Sequence, residues 1–118
     1  MLSLPPKTTK KDKRYIGFFN GTDLVAIMDL IFNYPNTDTC FIGLFMMNKK
    51  YQGKGIGSQI IRGSLGYLKK FYKTARLGYV STNEQSKNFW AKNGFKPTGA
   101  EYQQPEYLVK VMEKDLSV

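Results

Sequence analysis

The stretch Gln52-Gly53-Lys54-Gly55-Ile56-Gly57 has three glycines at alternate positions. It follows an apolar run that ends at Met47 and precedes residues with helical spacing, so we expect it to join a strand to a helix. Glycines leave the backbone N–H groups of a loop accessible, and a helix N-terminus adds positive potential. The stretch therefore predicts a loop that binds a phosphate group. A purely structural turn is the alternative, although such a turn rarely needs three alternating glycines beside basic residues.

Two common nucleotide-binding loops do not fit this stretch. The P-loop requires Gly-x-x-x-x-Gly-Lys-Ser/Thr, a pattern that the stretch lacks. The dinucleotide-binding loop requires Gly-x-Gly-x-x-Gly and an acidic residue about 20 positions later. Here the third glycine comes one residue early, and no acidic residue lies between Gly57 and Glu84. NAD and FAD are therefore not the predicted ligands.

Three strands are predicted before the loop. Apolar runs at 15–19, 24–32 and 40–47 are separated by turn residues. Asn20-Gly21 is a strong signal for a hairpin, and residues 34–38 form a second turn. Short turns between consecutive strands predict an antiparallel meander.

A helix, a strand, a second helix and two strands are predicted after the loop. The strand at 75–81 should run parallel to the third strand, because a helix connects them. Asn83 is the expected N-cap of the second helix, and Gly94 is the expected residue after its end. Gly63 and Gly66, inside the first helix, suggest close packing on the sheet. The last two strands are expected at 96–102 and 107–113.

These elements predict one α/β (α+β) domain over residues 1–118, with a mixed central sheet in the order β-β-β-α-β-α-β-β. Residues 1–14 are rich in Lys, Thr and Pro and are expected to form a basic leader. No apolar run approaches the roughly 18 residues that span a bilayer, so no membrane association is expected. The single cysteine, Cys40, and the absence of a signal peptide favour the cytoplasm.

The composition excludes several classes of catalytic site. The chain has no histidine, which removes Ser-His-Asp and Cys-His mechanisms. With one cysteine and scattered carboxylates, no metal site is expected.

The net charge of +9 is concentrated in the middle of the chain, since residues 39–83 contain no acidic residue. Such a field attracts an anionic ligand or nucleic acid, while a solvated basic surface is the alternative. Nucleic acid is the less favoured ligand, because these cations flank a glycine loop and are not interleaved with aromatic residues on a strand face. The basic residues in this segment are Lys49, Lys50, Lys54, Arg62, Lys69, Lys70, Lys73 and Arg76.

Two motifs resemble the GNAT superfamily of acetyltransferases. The glycine stretch matches the family's Gln/Arg-x-x-Gly-x-Gly/Ala pattern at every defined position. Downstream, Asn83-x-x-Ser86-x-x-Phe89-Trp90-x-Lys92-x-Gly94-Phe95 is similar to the family's Asn-x-x-Ala-x-x-Leu-Tyr-x-Lys-x-Gly-Phe segment. The resemblance covers residues 15–116 and is strengthened by the correct order of the two motifs.

The resemblance implies a binding site for acetyl-CoA as co-substrate. Loop amides would hold the diphosphate, the end of the third strand would pair with the pantetheine arm, and the third and fourth strands would splay apart to admit it. Asn83 would bond the arm, and Trp90 would pack over its end. The implied binding residues are Phe45, Met46, Met47, Gln52, Gly53, Lys54, Gly55, Ile56, Gly57, Ser58, Asn83, Ser86, Trp90 and Lys92.

The resemblance also implies direct transfer of the acetyl group to an amine, either a small amine or a peptide amine, without a covalent enzyme intermediate. The amide of Met46 or Met47 would polarise the thioester carbonyl. Trp90 stands where the family usually has a tyrosine that protonates the leaving thiolate, so water or another tyrosine would replace it. Catalytic residues stay unassigned. The candidates are Tyr79, Tyr102 and Tyr107 as acids and Asp29 and Asp38 as bases.

Members of this family usually begin with a strand and two helices that wall the acceptor site, and residues 1–14 are too few to build them. We therefore expect either a shortened form or a site completed by another chain, with a homodimer as one possibility. The alternative function is a catalytically inactive module that binds acyl-CoA or nucleic acid.

Overall fold

The computed structural model describes residues 12–117. The chain begins with three antiparallel strands, β1 (Lys13–Asn20), β2 (Asp23–Phe32) and β3 (Thr39–Met47). Gly21 occupies the first turn with φ of 64°, a left-handed conformation that favours glycine. The predicted meander is therefore confirmed, with its strands one to three residues longer than expected.

The remaining helices and strands follow in the predicted order, the three strands have bounds within two residues of the predicted ones, and a 3-10 turn that was not predicted precedes the loop. They are a 3-10 turn (Lys49–Tyr51), α1 (Ile56–Leu68), β4 (Thr74–Val80), α2 (Glu84–Lys92), β5 (Lys96–Gln103) and β6 (Leu108–Asp115). The six strands form one mixed sheet in the order β1-β2-β3-β4-β6-β5, in which β3 and β4 are parallel. The fold class is confirmed.

Both described helices pack on the same face of the sheet, which we call the helical face. Ile61 and Leu65 of α1 and Trp90 of α2 share one core cluster with Met28 and Leu77 of the strands. The strand side chains that alternate with these core residues point to the opposite face of the sheet. We call it the bare face, because neither α1 nor α2 covers it. No helix among residues 12–117 is long and apolar enough to cross a bilayer.

The strands β3 and β4 separate halfway along their length. They pair only up to Ile42 and Leu77. At this point β3 contains an extra residue, Gly43, because Asp29 pairs with Leu44 while Leu30 pairs with Ile42. The bulge bends β3, which from here on stays paired to β2 alone. The predicted splaying of these two strands is present.

Two predictions about this part of the fold were wrong in detail. Gly63 and Gly66 do not pack on the sheet, because a Cβ atom added at either position would meet nothing within 4 Å. The helical period places Ile61 and Leu65 against the sheet and turns the two glycines outward. The predicted leader was also too long, since β1 already begins at Lys13. The part of the leader at 1–11 lies outside the described residues.

Candidate functional site

The glycine loop opens the N-terminus of α1. Gly53 and Gly55 have φ of 76° and 77°, which L-residues with a side chain rarely adopt. Gly55 is the N-cap of α1, and its position provides no side-chain cap for the helix. Within residues 12–117, the first amides of α1 therefore donate no hydrogen bond to an N-cap side chain.

The loop amides are available to a ligand. In the described part of the chain, the backbone N–H groups of residues 53–58 donate no hydrogen bond, and the first helical bond runs from Gln59 to the Gly55 carbonyl. The amide of Gln52 differs from the prediction, because it already donates to the Lys49 carbonyl at 3.2 Å. Its side chain instead donates through Nε2 to the Met47 carbonyl at 3.1 Å. The available amides thus begin at Gly53.

The end of β3 also offers backbone groups. The Asn48 amide donates to the Val25 carbonyl at 2.8 Å, which makes these opposite residues a hydrogen-bonded pair. Because such pairs alternate along an antiparallel ladder, the groups of Met46 face Ile27 of β2. The groups of Phe45 and Met47 point away from β2, toward the space where β4 has diverged. Met46 is therefore not the source of a free amide, and Met47 is.

These backbone groups border one cleft of ≈ 550 Å³. Most of the predicted binding residues line it, although Lys54 and Ile56 do not. Three lining residues, Tyr51, Gln85 and Phe89, were not predicted, and among them only Phe89 had a sequence signal, as an apolar residue of the second helix. The lining residues are Phe45, Met46, Met47, Tyr51, Gln52, Gly53, Gly55, Gly57, Ser58, Asn83, Gln85, Ser86, Phe89, Trp90 and Lys92.

An aromatic wall separates the cleft from the core. The Phe45 ring stacks on Phe89 with centroids 5.9 Å apart, and Trp90 makes edge contacts with both rings. Trp90 is only 6% exposed and also contacts Phe95 of the core at 5.2 Å. The tryptophan therefore belongs to the core and to the cleft together.

The N-terminus of α2 forms a further part of the cleft. The side chain of Asn83 accepts a hydrogen bond from the Ser86 amide at 3.0 Å, which confirms Asn83 as the N-cap. Its Nδ2 group makes no hydrogen bond within residues 12–117 and is available to a ligand. Capping and ligand binding by Asn83 are thus compatible.

The 3-10 turn before the loop is fastened to the first hairpin. Asp23 Oδ2 accepts hydrogen bonds from the Tyr51 hydroxyl at 2.8 Å and from Lys50 Nζ at 2.7 Å. Asn48 adds a hydrogen bond from Nδ2 to the Leu24 carbonyl at 2.8 Å. The hydrogen bonds from Lys50 and Tyr51 lower the pKa of Asp23 below its ordinary value, so this half-exposed carboxylate stays ionised. The entrance to the glycine loop is thereby held in place.

The tyrosines proposed as acids are not at the cleft. Tyr79 is buried in β4, and Tyr102 and Tyr107 are exposed residues of the β5–β6 hairpin. None of the three lines the cleft. Tyr51 lines the cleft, but its hydroxyl donates to Asp23 beside the glycine loop.

The carboxylates proposed as bases do not line the cleft either. Asp38 lies in the turn before β3, and its carbonyl accepts from the Lys73 amide at 2.9 Å. Asp29 is 2% exposed on the bare face, with Oδ2 bound to Lys13 Nζ at 3.1 Å. Its Oδ1 atom has no partner among residues 12–117. Both residues are thus better explained by structure than by catalysis.

Most of the positive charge is away from the cleft. Arg62 is on the outer surface of α1, and Lys69, Lys70 and Lys73 follow its C-terminal end, whereas the cleft is at its N-terminal end. Lys49, Lys50 and Lys54 flank the glycine loop, but among residues 12–117 only Lys92 of the Lys and Arg residues lines the cleft. The positive potential at the cleft comes from the loop amides and Lys92 more directly than from the overall charge.

Comparisons with known proteins agree with this geometry. The sequence profile of the Acetyltransferase (GNAT) family matches residues 4–95. A comparison with curated protein sequences gives no significant match. Similar solved structures include an acetyltransferase from Thermus thermophilus, which is 18% identical with a TM-score of 0.76 over 90% of this chain and 66% of that one.

Two other structures show the same fold. A GNAT family acetyltransferase from Elizabethkingia anophelis with acetyl-CoA bound is 16% identical, with a TM-score of 0.74 over 89% of this chain and 77% of that one. The ribosomal-protein-S18-alanine N-acetyltransferase from Escherichia coli is 14% identical, with a TM-score of 0.76 over 93% of this chain and 73% of that one. At these identities the likeness concerns the fold alone.

Proposed function

Because the chain belongs to the Acetyltransferase (GNAT) family, we propose that it is an N-acetyltransferase that transfers the acetyl group of acetyl-CoA directly to an amine. The observation that carries the proposal is the row of unpartnered amides at residues 53–58, at the uncapped end of α1 and facing a cleft of ≈ 550 Å³. The diphosphate of acetyl-CoA fits such a cradle, because backbone amides at a helix N-terminus favour anions.

The proposal gives the other cleft residues definite tasks. The groups of Phe45 and Met47 that point away from β2 would bond the pantetheine arm in the gap left by β4. Asn83 would donate to the same arm from Nδ2, and Phe89 and Trp90 would cover its apolar part. Ser86 and Lys92 would lie near the nucleotide. No metal is assigned a role.

The chemistry then depends mainly on positioning. The neutral amine attacks the thioester carbonyl, the C–S bond breaks, and the amine nitrogen loses a proton while the thiolate gains one. The Met47 amide, which is free of β2, would stabilise the developing oxyanion. Trp90 cannot protonate the thiolate, since an indole N–H is far too weak an acid. With Tyr79, Tyr102 and Tyr107 away from the cleft, water is the proposed proton source.

The proposed acceptor is a small amine or a peptide amine, and the proposed location is the cytoplasm. The test is a panel of both acceptor classes incubated with acetyl-CoA, read by mass spectrometry of the acceptor and by release of the CoA thiol. We expect an increase of one acetyl group on at least one amine. Acetylation of hydroxyl compounds alone would contradict the assignment to amines.

A thermal-shift experiment separates this function from the alternatives. Acetyl-CoA should raise the melting temperature by mass action, and a single-stranded oligonucleotide of equal charge should not. Stabilisation by acetyl-CoA without turnover of any amine would indicate an inactive acyl-CoA-binding module. Stabilisation by the oligonucleotide alone would indicate a nucleic-acid-binding module.

A further inference from the structure

Asn93 and Ser58 form a buried pair between the ends of two helices. Ser58 lies in the first turn of α1 and is 4% exposed, while Asn93 follows the last residue of α2 and is 5% exposed. Asn93 Nδ2 donates to Ser58 Oγ at 3.1 Å. This contact joins the N-terminus of α1 to the C-terminus of α2, and both helices border the cleft.

The orientation of the Asn93 amide is fixed by a second contact. Its Nδ2 atom lies 2.9 Å from the Phe89 carbonyl oxygen, and only a donor can occupy that position. The two Nδ2 hydrogens are thus used by Phe89 and by Ser58. Ser58 Oγ is therefore an acceptor in this contact, and its own hydrogen is left to be donated elsewhere.

The hydroxyl hydrogen of Ser58 is available to the cleft. The hydroxyl donates to no acceptor within residues 12–117, and Ser58 lines the cleft. It stands beside the unpartnered amides of residues 53–58. A hydroxyl donor in this position adds to the backbone cradle, since hydrogen bonds to a charged acceptor are stronger than neutral ones.

Asn93 is the C-cap of α2, and its contact with the Phe89 carbonyl serves this role, but capping does not account for the second contact, with Ser58. Its Oδ1 atom is buried and has no partner within the described residues. A buried oxygen without a hydrogen bond destabilises the folded state, and the two hydrogen bonds donated by Nδ2, to Phe89 and to Ser58, offset this cost. A donor to Ser58 Oγ is needed to keep the hydroxyl hydrogen pointing toward the cleft, and the Asn93 side-chain amide provides that donor.

We infer that Asn93 is a positioning residue for the diphosphate of acetyl-CoA, because it holds the Ser58 hydroxyl as a donor to a diphosphate oxygen. Asn93 itself does not line the cleft. The inference rests on the proposed function for the identity of the ligand, whereas the geometry requires only that a diphosphate binds in the cleft.

The test is a double-mutant cycle on the Kd of CoA, measured by calorimetry with Ser58→Ala, Asn93→Ala and the double variant. Ser58→Ala should weaken binding by about 10-fold to 100-fold, as expected for a lost hydrogen bond to a charged group. Asn93→Ala should weaken it by a smaller factor, and the double variant should bind no worse than Ser58→Ala. If the Kd of the double variant rises by the product of the two single-variant factors, the inference is wrong.

A matched control addresses the structural role of Asn93. Lys114 Nζ donates to the Asn93 carbonyl at 3.0 Å, so Lys114→Met loosens the same helix end without touching Ser58. This variant should lower the melting temperature and leave the Kd of CoA unchanged. In steady-state assays, Asn93→Ala should raise the KM for acetyl-CoA at unchanged kcat. A loss of CoA affinity in Lys114→Met as large as that in Asn93→Ala would also overturn the inference.

Inorganic pyrophosphate separates this inference from the proposed function. If pyrophosphate binds and the Ser58 and Asn93 substitutions show the non-additive effect on its Kd that is predicted for CoA, while CoA does not bind, the two residues anchor a diphosphate and the proposed function is wrong. If CoA binds and the two losses multiply, the function stands and the inference is wrong. If the wild-type chain binds neither compound, both are wrong.

Discussion

At the scale of single residues, backbone conformation and burial decide what each side chain can do. Gly55 has φ of 77° at the N-cap of α1, so its lack of a Cβ atom keeps the loop in the conformation that exposes the amides. Trp90 is 6% exposed and contacts three aromatic rings, and its indole N–H is too weak an acid to protonate a thiolate. The chemistry proposed for the site therefore depends on backbone amides more than on ionisable side chains.

Replacing Gly55 by alanine should reduce both stability and affinity for acetyl-CoA. A Cβ atom at this position meets nothing within 4 Å, so the cost comes from the left-handed conformation alone and is about 1–2 kcal/mol. The loop can relieve this strain only by rotating its amides away from the ligand. Calorimetric titration and thermal unfolding measure the two effects. An unchanged Kd in Gly55→Ala would contradict the role assigned to the loop.

Cys40 should make the free energy of unfolding fall as the pH rises above its ordinary pKa of 9.0. Complete burial raises the pKa of this thiol to about 12, so the unfolded chain loses the proton first and the native state binds more protons between these values. The loss should be about 1 kcal/mol at pH 10. Urea unfolding of the wild type and Cys40→Ala at pH 8 and pH 10 tests this, and equal losses in both would contradict it.

At the scale of elements, the site arises where regular structure ends. The parallel pairing of β3 and β4 stops at Ile42 and Leu77, and the bulge at Gly43 directs the rest of β3 away from β4. The loop, the uncapped end of α1 and the N-terminus of α2 meet the resulting gap. Unpaired backbone groups are therefore concentrated in one place, which explains why the cleft suits a ligand that binds main-chain donors and acceptors.

The outward glycines of α1 predict stabilising substitutions. Gly63→Ala and Gly66→Ala should each increase the free energy of unfolding by about 0.5–1 kcal/mol, since alanine is the better helix former and space is free at both positions. The Kd of acetyl-CoA should not change, because both residues lie outside the cleft. Urea unfolding and calorimetry test this. Destabilisation by either alanine would mean that these positions are packed after all.

At the scale of the whole molecule, the two faces of the sheet differ. The helical face carries the core cluster. The bare face holds the buried Asp29 but also presents exposed apolar side chains, among them Phe19 at 64%, Ile27 at 37% and Met46 at 55%. Ile27 and Met46 are cross-strand partners, so they form one continuous surface. An apolar surface of this kind is typical of an interface. We therefore keep the homodimer as a prediction, with the bare face as the contact.

Sedimentation equilibrium tests the predicted homodimer. Wild-type protein should associate with increasing concentration, and Ile27→Lys should shift it toward the monomer by placing a charge in the contact. Phe71→Lys is the matched control, because Phe71 is 62% exposed but follows α1 on the helical side of the sheet. A strictly monomeric wild type at high concentration would rule out this interface.

The sequence by itself determined the elements, their order, the parallel crossover and the family, because turn residues, hydrophobic period and the two motifs are local signals. It also identified twelve of the residues that line the cleft. The tertiary structure alone decided which groups are free to act. The backbone groups of Met46 are paired with β2, and the Gln52 amide is bonded within the 3-10 turn, so neither is free for a ligand. Asp29, Asp38 and the three tyrosines lie elsewhere on the sheet and its turns and do not line the cleft.

The contact between Asn93 and Ser58 shows the same limit. Each residue is ordinary in its own segment, one after a helix and the other near the start of another. They are 35 positions apart, and only the packing of both helices on one face of the sheet brings their polar atoms to 3.1 Å. Local patterns fix which element a residue joins, whereas hydrogen-bond partners across such distances depend on how the elements pack in three dimensions.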